Sequence, residues 1–395
     1  MIVKPRIRGF ICTTAHPLGC RAAVARQIAT VESRGALDGS RNALVIGCSG
    51  GFGLASRIAA AFGCGASTIG VSYERAPSAT RTATAGWYNN RAFEAAAAEH
   101  RLYARTFDGD AFADELRGEV VAAIGDDLGK IDLLVYSLAA PVRTHPRTGE
   151  QFRSAIKPLG EPLAVKTLDV NRGAVRDIVL ETATEDEARA TVGVMGGEDW
   201  EFWIDALREA GVLASGFQTV AFSYLGSDLT ARIYREGTLG RAKADVDRAA
   251  SAISDRLEGI GGRARVAVLK AIVSQASTAI PVVPLYMSIL FRVMREQGSH
   301  ESCIEHIDRL FRDGLYGEAI PRDEAGRLRA DARELAKEVQ AEVRRRWAIV
   351  DSGNIADLAD LPGFREEFLA VFGFGLPGVD YDQDVDPMDG TGPAR

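Results

Sequence analysis

Two side chains able to move a proton, a tyrosine and a lysine, stand close together in the stretch "TARIYREGTLGRAK" at residues 230–243. A tyrosine hydroxyl can polarise a carbonyl group and donate a proton, but its ordinary pKa is about 10. A neighbouring ammonium lowers that pKa and can also hold a ribose hydroxyl of a nucleotide cofactor. Tyr234 and Lys243 are therefore candidates for the proton-transfer pair of a reductase or dehydrogenase.

The spacing of this pair requires an explanation. Dehydrogenases of the short-chain type carry Tyr-x3-Lys, which places both side chains on one helix face. Here the offset is nine residues, which on one continuous helix is about two and a half turns and points the side chains apart. Gly237 and Gly240 predict a break in the helix, so that Tyr234 and Lys243 converge from two elements and Lys243 opens the next helix. From spacing alone, a surface tyrosine and a solvated lysine remain the alternative.

The elements that must position this pair alternate between strands and helices. Compact apolar stretches separated by helical ones indicate a parallel sheet covered on both faces. The sequence therefore predicts a doubly wound α/β fold of the Rossmann type. The predicted strands are "NALVIG" (42–47), "STIGVSY" (67–73), "ARTFDGD" (104–110), "IDLLVYSLA" (131–139), "FQTVAFSYLG" (217–226) and "RARVAVLKAIV" (263–273).

The predicted organisation is one compact unit spanning residues 1–395. Its parts are a Rossmann core at about 40–140 and 215–300, an inserted segment at 141–215, a helical extension at 301–375 and a flexible acidic tail at 376–395. The charged run "EAGRLRADARELAKEVQAEVRRRW" in the extension predicts a solvated face. The apolar stretch "IPVVPLYMSILF" (280–291) is too short to span a bilayer and predicts a buried segment.

A glycine-rich turn, "GCSGGFG", joins the first predicted strand to the first helix. Gly47, Gly51 and Gly53 follow the pattern GxxxGxG. Glycine lets a pyrophosphate approach the backbone amides at a helix N-terminus, where the helix dipole favours negative charge. A purely structural turn is the alternative, but the position between strand and helix near the start of the chain favours a phosphate cradle.

Positions at the ends of the later strands extend this dinucleotide site. Glu74 closes the second strand, where a carboxylate can accept hydrogen bonds from the adenosine ribose and repels a 2′-phosphate. It favours NADH over NADPH, although Arg75 next to it can offset the repulsion. Asp110 ends the third strand where this fold contacts adenine, and Leu138 and Ala139 end the fourth, where the backbone lines the dinucleotide.

Composition excludes several other classes of protein. The formal net charge of −7, from 47 Lys plus Arg and 54 Asp plus Glu, argues against a nucleic-acid binder. The five cysteines contain no CxxC pair and are typical of reduced thiols in a cytoplasm. The five histidines show no HExxH arrangement, so no metal site is predicted. The first residues, "MIVKPRIRGFICTTAHP", lack the apolar run of a secretory signal.

These motifs together resemble the single-chain trans-2-enoyl-CoA / enoyl-acyl-carrier-protein reductases, the V-type branch of the bacterial enoyl reductases. The similarity covers nearly the whole chain, and the Tyr-x8-Lys spacing is the signature of the branch. It is carried by "IRGFICTTAHPLGC", "TAGWYNNRAFE", "YSLAAPVRTHPRTGE", "VMGGEDWEFWIDAL", "IYREGTLGRAK", "VSQASTAIPVVPLY", "GSHESCIEHIDRLF" and "FLAVFGFG".

The resemblance implies roles for individual residues. Tyr234 matches the proton donor of the family, Lys243 its cofactor-binding lysine, and Tyr224 a second tyrosine that contacts the thioester carbonyl. Residues matching NADH contacts are Gly47, Cys48, Ser49, Gly50, Gly51, Phe52, Tyr73, Glu74, Asp110, Ala111, Leu138, Ala139, Ile272, Val273 and Ser274. At Ser274 the family commonly has threonine, and serine keeps the hydroxyl. At Phe52 the family usually has tyrosine, so the ring is kept and the hydroxyl is lost.

The implied activity is NADH-dependent reduction of the double bond of trans-2-enoyl thioesters, the last step of fatty acid elongation, by a cytoplasmic monomer. Two alternatives are a short-chain-type carbonyl reductase or dehydrogenase, and a dinucleotide-binding protein without turnover whose cradle has changed at Phe52. The acyl carrier is either coenzyme A or acyl carrier protein. A patch formed by Arg143, Arg147 and Arg153 is a candidate docking site for an acidic carrier protein.

Overall fold

The central element of the protein is a seven-stranded parallel sheet, seen in a computed structural model that describes residues 1–8, 11–138, 140–170, 172–278 and 280–388. Its order is β5-β4-β3-β6-β11-β12-β13, and every neighbouring pair is parallel. The order reverses between β3 and β6, as in doubly wound folds that bind dinucleotides at this switch point. The predicted fold class is confirmed. The sheet strands are β3 (Asn42–Ile46), β4 (Ser67–Ser72), β5 (Ala104–Asp108), β6 (Ile131–Tyr136), β11 (Leu213–Ser223), β12 (Arg263–Val268) and β13 (Leu328–Arg329).

Within the described part of the chain, three two-stranded antiparallel sheets lie outside the central sheet. Their strands are β1 (Ile7–Arg8), β2 (Ile11–Cys12), β7 (Val142–Thr144), β8 (Gln151–Arg153), β9 (Leu163–Asp169) and β10 (Ala174–Leu180). The helices of the described residues are α1 (Pro17–Glu32), α2 (Gly51–Ile58), α3 (Ala85–Glu99), α4 (Asp114–Ala123), α5 (Glu185–Met195), α6 (Glu198–Glu209), α7 (Thr238–Leu257), α8 (Gln275–Thr278), α9 (Val283–Glu296), α10 (Cys303–Leu310), α11 (Lys337–Ile349), α12 (Ile355–Leu358) and α13 (Leu361–Val371).

Alternation of side chains along each strand explains the two covered faces. On β3, Ala43 and Val45 belong to a cluster with α1, α2, α3 and α10, whereas Leu44 and Ile46 point to the opposite cluster with α4, α6 and α7. Successive strand residues face opposite sides of a sheet, so a strand covered on both sides is apolar throughout. This is why "NALVIG" reads as one continuous apolar run.

The predicted inserted segment, residues 141–215, has two different structural roles. Its hairpins lie outside the sheet, but α6 packs on the sheet face, where Trp200 and Trp203 are fully buried. Trp200 Nε1 donates to Thr219 Oγ1 on β11 over 2.9 Å. Helix α6 is therefore the crossover between β6 and β11, and belongs to the core rather than to an added segment.

The C-terminal part of the chain is more deeply integrated than the sequence predicts. It contributes β13 to the sheet edge, and the charged run read as a solvated face contains the buried residues Glu334 and Gln340. The stretch predicted to be buried at 280–291 lies within α9 and its approach, and most of its side chains are buried.

The tail predicted to be flexible also differs over its described residues, 376–388. Leu376 and Val385 are buried, and the amino group of Met1 donates to Asp384 (2.6 Å) and to the Val385 carbonyl (2.7 Å). Asp384 and Val385 of the tail are therefore hydrogen-bonded to the first residue of the sequence, Met1. Among the described helices, none combines the length and the apolar character needed to cross a membrane.

Candidate active site

The glycine-rich turn occupies the crevice between β3 and β6. Gly47 has φ +83°, and a Cβ there would lie 2.2 Å from the Ser137 carbonyl oxygen at the end of β6. A Cβ at Gly53 would lie 1.9 Å from the Gly47 carbonyl oxygen. Any side chain at either position would clash with backbone, so these glycines are required for the first turn of α2 to pack against both strands.

The amides of this turn are not equally available to a phosphate. Gly47 and Cys48 both donate their N–H to the Val71 carbonyl, at 2.9 and 3.0 Å. The Cys48 side chain is fully buried, its Sγ lies 3.6 Å from Asn90 Oδ1, and burial raises its pKa to about 11. Of the predicted cofactor contacts, the Gly47 and Cys48 amides are thus already satisfied by the sheet. The open part of the cradle runs from Ser49 to Phe52 at the start of α2, where helical amides lack partners within the helix.

Glu74 stands beside this open part of the cradle. Ser49 Oγ donates to Glu74 Oε1 over 2.6 Å, and the Glu74 amide donates to Asp108 Oδ1 over 2.7 Å. A Cβ at Gly86 would lie 2.0 Å from Glu74 Oε1, so the start of α3 comes very close to the carboxylate. In dinucleotide-binding folds a carboxylate at this position accepts hydrogen bonds from the adenosine ribose, so the predicted role of Glu74 stays a prediction that its position allows.

The remaining predicted adenine-side residues lie at the carboxyl ends of β4, β5 and β6. Tyr73 is 81% exposed, Asp110 is exposed, and the Ala111 carbonyl accepts from Trp203 Nε1 over 3.2 Å. Leu138 follows β6 and is half-buried. Ala139 lies outside the described residues.

The predicted loop over the nicotinamide faces the cradle across the crevice. Ile272 Cδ1 lies 3.8 Å from the position that a Cβ would take at Gly51, and Val273 is buried. Ser274 Oγ accepts the Ser277 amide over 3.1 Å and lies 3.2 Å from Ser277 Oγ, so its hydroxyl caps the short helix α8. A threonine hydroxyl could make the same cap.

Tyr234 and Lys243 do come from two elements. Tyr234 lies in a series of turns spanning residues 228–236, and α7 begins after Gly237, which is its N-cap. Lys243 is therefore in the second turn of α7 rather than at its start, and Gly240 lies inside the helix rather than in a break. A Cβ at Gly240 would lie 2.1 Å from the Arg235 carbonyl oxygen, so this glycine lets α7 approach the Tyr234 turn.

The three predicted catalytic side chains gather at the carboxyl end of β11. The rings of Tyr224 and Tyr234 meet edge to face with centroids 4.7 Å apart, and Lys243 Nζ donates to the Phe222 carbonyl over 3.0 Å. Burial lowers the pKa of Lys243 to about 8, although Asp247 acts in the opposite direction.

The electrostatics of the tyrosines differ from the expectation. The pKa of Tyr234 is raised, first by burial and then by the charge of Glu334, rather than lowered by Lys243. The pKa of Tyr224 is raised for the same two leading reasons. Both hydroxyls are therefore kept protonated, which suits hydrogen-bond donors that act on a developing negative charge.

Phe52 packs its ring between two residues of the site wall. Its centroid lies 5.9 Å from that of Phe222 and 6.0 Å from that of His306. Phe222 is the residue whose carbonyl holds Lys243. The Phe52 ring therefore contacts the residue whose carbonyl anchors the candidate cofactor-binding lysine.

The structure adds three residues that sequence reasoning missed. Tyr224 Oη donates to Glu334 Oε1 over 2.9 Å, Tyr286 Oη donates to the same oxygen over 2.9 Å, and Gln340 Nε2 donates to Tyr286 Oη over 3.1 Å. Tyr286 could have been recognised in the sequence, because its hydroxyl group stands out in the apolar stretch at 280–291 and needs a hydrogen-bond partner when buried. Glu334 and Gln340 had none, because they stand among many similar residues in a charged run.

Three family models match consecutive parts of the chain. Residues 2–79 match the "NAD(P)H binding domain of trans-2-enoyl-CoA reductase" and residues 81–316 match the "Trans-2-enoyl-CoA reductase catalytic region". Residues 322–385 match the "Enoyl reductase FAD binding domain". The first two include the cradle with Glu74 and the tyrosine–lysine group respectively.

The residues at 322–385 do not fit a flavin. The large apolar side chains of this segment, including Val343 and Phe364, are fully buried in a core cluster with α9. Two of its polar side chains are hydrogen-bonded to tyrosines: Glu334 accepts from Tyr224, and Gln340 donates to Tyr286. A cavity of about 460 Å³ borders the segment, and its lining includes Asp177 and Asp351, which would repel a pyrophosphate. Lys166 also lines it, but its amine donates to the carbonyls of Trp347 and Val350.

Curated relatives and solved structures match along almost the full length. The chain is 55% identical over 388 residues to the enoyl-[acyl-carrier-protein] reductase [NADH] of Pseudomonas paraeruginosa, covering 98% of each chain. The trans-2-enoyl-CoA reductase of Clostridium acetobutulicum in complex with NADH superimposes with a TM-score of 0.95 at 44% identity, covering 98% of each chain. That of Treponema denticola in complex with NAD gives 0.94 at 46%, again covering 98% of each.

Proposed function

The chain belongs to the trans-2-enoyl-CoA reductase family, and we propose that it reduces the carbon–carbon double bond of trans-2-enoyl thioesters with NADH to give saturated acyl thioesters. This is the last, reductive step of a fatty acid elongation cycle. The observation that carries the proposal is the contact between Tyr224 and Tyr234 at the carboxyl end of β11, on the same edge of the sheet as the glycine cradle.

The proposed binding of the cofactor uses the open part of the cradle. The amides from Ser49 to Phe52 face the pyrophosphate at the start of α2, and Glu74 accepts from the adenosine ribose hydroxyls. Lys243 takes the nicotinamide ribose, exchanging its present partner, the Phe222 carbonyl. The side chain of Ile272, opposite Gly51, shields the reacting end from water.

The proposed chemistry places the two tyrosines on the thioester oxygen. NADH, when bound, supplies the hydride that adds to the β-carbon of the substrate. Negative charge then appears on the thioester oxygen as an enolate, and the hydroxyls of Tyr224 and Tyr234 donate to it in the transition state. A proton from the Tyr234 hydroxyl, replaced afterwards from solvent, adds to the α-carbon and completes the saturated product. Because both hydroxyls have raised pKa values, each enters the reaction as the protonated donor that this role requires.

Both acyl carriers are proposed as substrates, with acyl carrier protein favoured. The relative with 55% identity is named for acyl carrier protein, and the solved structures at 44% and 46% identity are named for coenzyme A. The docking patch predicted for the carrier loses a member, because Arg143 is only 2% exposed and bonds to the Gly193 carbonyl and Glu198. Arg147 and Arg153 remain exposed.

A cytoplasmic monomer is part of the proposal, supported by the free thiol state of all five cysteines and by the family pattern.

The test is consumption of reduced nicotinamide by the purified full chain on addition of crotonyl-CoA, with NADPH in parallel. We expect NADH to be consumed and NADPH to be a poor substitute. Crotonyl-acyl-carrier protein should give a higher kcat/KM than crotonyl-CoA. If NADH binds but neither crotonyl nor dodecenoyl thioesters are reduced on either carrier, the proposed activity is wrong and a binding protein without turnover is the better description.

A further inference from the structure

A buried carboxyl group lies directly behind the two candidate catalytic tyrosines. Glu334 is fully buried, and its Oε1 accepts hydrogen bonds from Tyr224 and Tyr286, each at 2.9 Å. Its Oε2 accepts the amide of Ala271 over 2.6 Å. Ala271 immediately precedes the loop 272–274 that faces the cradle, so one carboxyl group joins a tyrosine of the site to the loop over the cofactor.

The direction of two of these three hydrogen bonds is fixed by the surrounding groups. The Ala271 amide can only donate. Gln340 Nε2 lies 2.7 Å from the Glu334 backbone carbonyl, which can only accept, so this atom is the amide nitrogen. The same nitrogen donates to Tyr286 Oη, which leaves the Tyr286 proton directed at Glu334. Tyr224 is therefore the one donor to Glu334 whose hydroxyl is free to turn toward another partner.

Glu334 has no ion-pair partner among the described residues, which makes its burial costly. The charged groups around it are otherwise engaged: Lys270 donates to the Glu301 carbonyl, and Asp331 pairs with Arg329. Burial raises the pKa of Glu334, and the charge of Glu334 in turn raises the pKa of Tyr234.

We propose that Glu334 is a positioning residue of the reductase, which holds the phenol oxygen of Tyr224 in place and ties it to the loop that begins after Ala271. The inference rests on the proposed function, since it assigns Tyr224 to the thioester oxygen. Glu334 itself does not touch the substrate: it acts through Tyr224, by holding the phenol oxygen in place until the hydroxyl proton turns to the thioester oxygen.

The test is a double-mutant cycle between Glu334→Gln and Tyr224→Phe, because a residue that acts only through Tyr224 has no effect once that hydroxyl is gone. Steady-state kcat and the KM for NADH are measured for the wild type, both single variants and the double variant with crotonyl-CoA. We expect Glu334→Gln to lower kcat by at least about fivefold, as for the weakening of one hydrogen bond that holds Tyr224, with the KM for NADH nearly unchanged. In the Tyr224→Phe background the same substitution should change kcat by less than about twofold.

The controls separate positioning from general destabilisation. Glu201→Gln removes a buried carboxylate on α6, paired with Arg248 and Arg256. It should leave kcat at the wild-type value. If Tyr224→Phe has no measurable turnover, the same cycle is read from the Kd of butyryl-CoA, the product of crotonyl-CoA reduction. If Glu334→Gln does not fold, Glu334→Asp, which keeps the charge but withdraws it by one methylene, takes its place.

An equal loss of kcat in both backgrounds overturns the proposal, because Glu334 then acts independently of Tyr224. Wild-type kcat in Glu334→Gln overturns it as well. Failure of the proposed function is a separate outcome, since it is seen as absence of turnover in the wild type, before any variant is compared.

Discussion

The ring of Tyr224 lies edge-on against the ring of Tyr234, with an interplanar angle of 79° and centroids 4.7 Å apart. Tyr224 follows the last residue of β11, and Tyr234 lies in the turns that lead into α7. The contact is the point at which the central sheet, the turn before α7 and the C-terminal segment with Glu334 meet. Substitutions around this contact provide the sharpest tests of the proposed mechanism.

Replacing Tyr234 by Phe should abolish turnover while leaving NADH binding nearly intact. The ring contact with Tyr224 is kept, but the hydroxyl proposed to donate to the thioester oxygen is lost, and we expect kcat to fall by about a hundredfold or more. The measurement is kcat with crotonyl-CoA beside the Kd for NADH from fluorescence. Tyr103→Phe, at the Asp127 side of β5, is the matched control. Near-normal kcat in Tyr234→Phe would remove Tyr234 from the mechanism.

The pKa of Lys243 predicts an alkaline limit to activity. Since burial lowers this pKa to about 8, the ammonium form predominates below that pH and is lost as the pH rises through it. The kcat/KM for NADH should therefore be constant below about pH 7 and decline above about pH 8. Arginine stays charged throughout this range. If the side chain at position 243 binds the cofactor, Lys243→Arg should therefore move the decline of kcat/KM to higher pH. A decline at the same pH in both proteins would assign it to another group.

Restoring the family tyrosine at position 52 should improve NADH-dependent turnover. Phe52 lies in the open part of the cradle, at the start of α2, so an added hydroxyl would be introduced next to the proposed cofactor site. One gained hydrogen bond corresponds to about 1 kcal/mol, or about fivefold in kcat/KM for NADH. Phe62→Tyr is the control, because its ring packs on Phe93 and His100 instead. If neither kcat nor KM changes in Phe52→Tyr, the hydroxyl is irrelevant to this enzyme.

Removing the charge of Glu74 should relax the choice of cofactor. Glu74→Gln keeps the shape of the side chain beside Ser49 but no longer repels a 2′-phosphate. We expect kcat/KM for NADPH to rise by about tenfold, a change of about 1.4 kcal/mol, with a smaller loss for NADH. Arg75→Ala is the companion variant, and it should lower whatever NADPH activity the wild type has. An unchanged ratio of NADH to NADPH efficiency in Glu74→Gln would show that the carboxylate does not select the cofactor.

Local signals in the sequence predicted the framework of the site. Strand β3 is apolar at every buried position because both of its faces are covered, and this property is visible in the residues themselves. Gly47 and Gly53 could be recognised because only glycine tolerates the contacts of this turn. The tyrosine–lysine spacing predicted two elements, although it placed the start of α7 five residues too late, because nothing in "GTLGRAK" distinguishes an N-cap glycine from one inside a helix.

The sequence by itself determined the parallel sheet, the cradle with Glu74, and the tyrosines and lysine proposed to act on the substrate. Only the tertiary structure decided that the Gly47 and Cys48 amides are satisfied by Val71, that α6 belongs to the core, and that Glu334 lies behind Tyr224. The physical reason is sequence distance: Glu334 and Tyr224 are 110 residues apart. A glutamate in a charged run is buried only because tyrosine hydroxyls and an amide from other elements replace its water, and no local pattern encodes those partners.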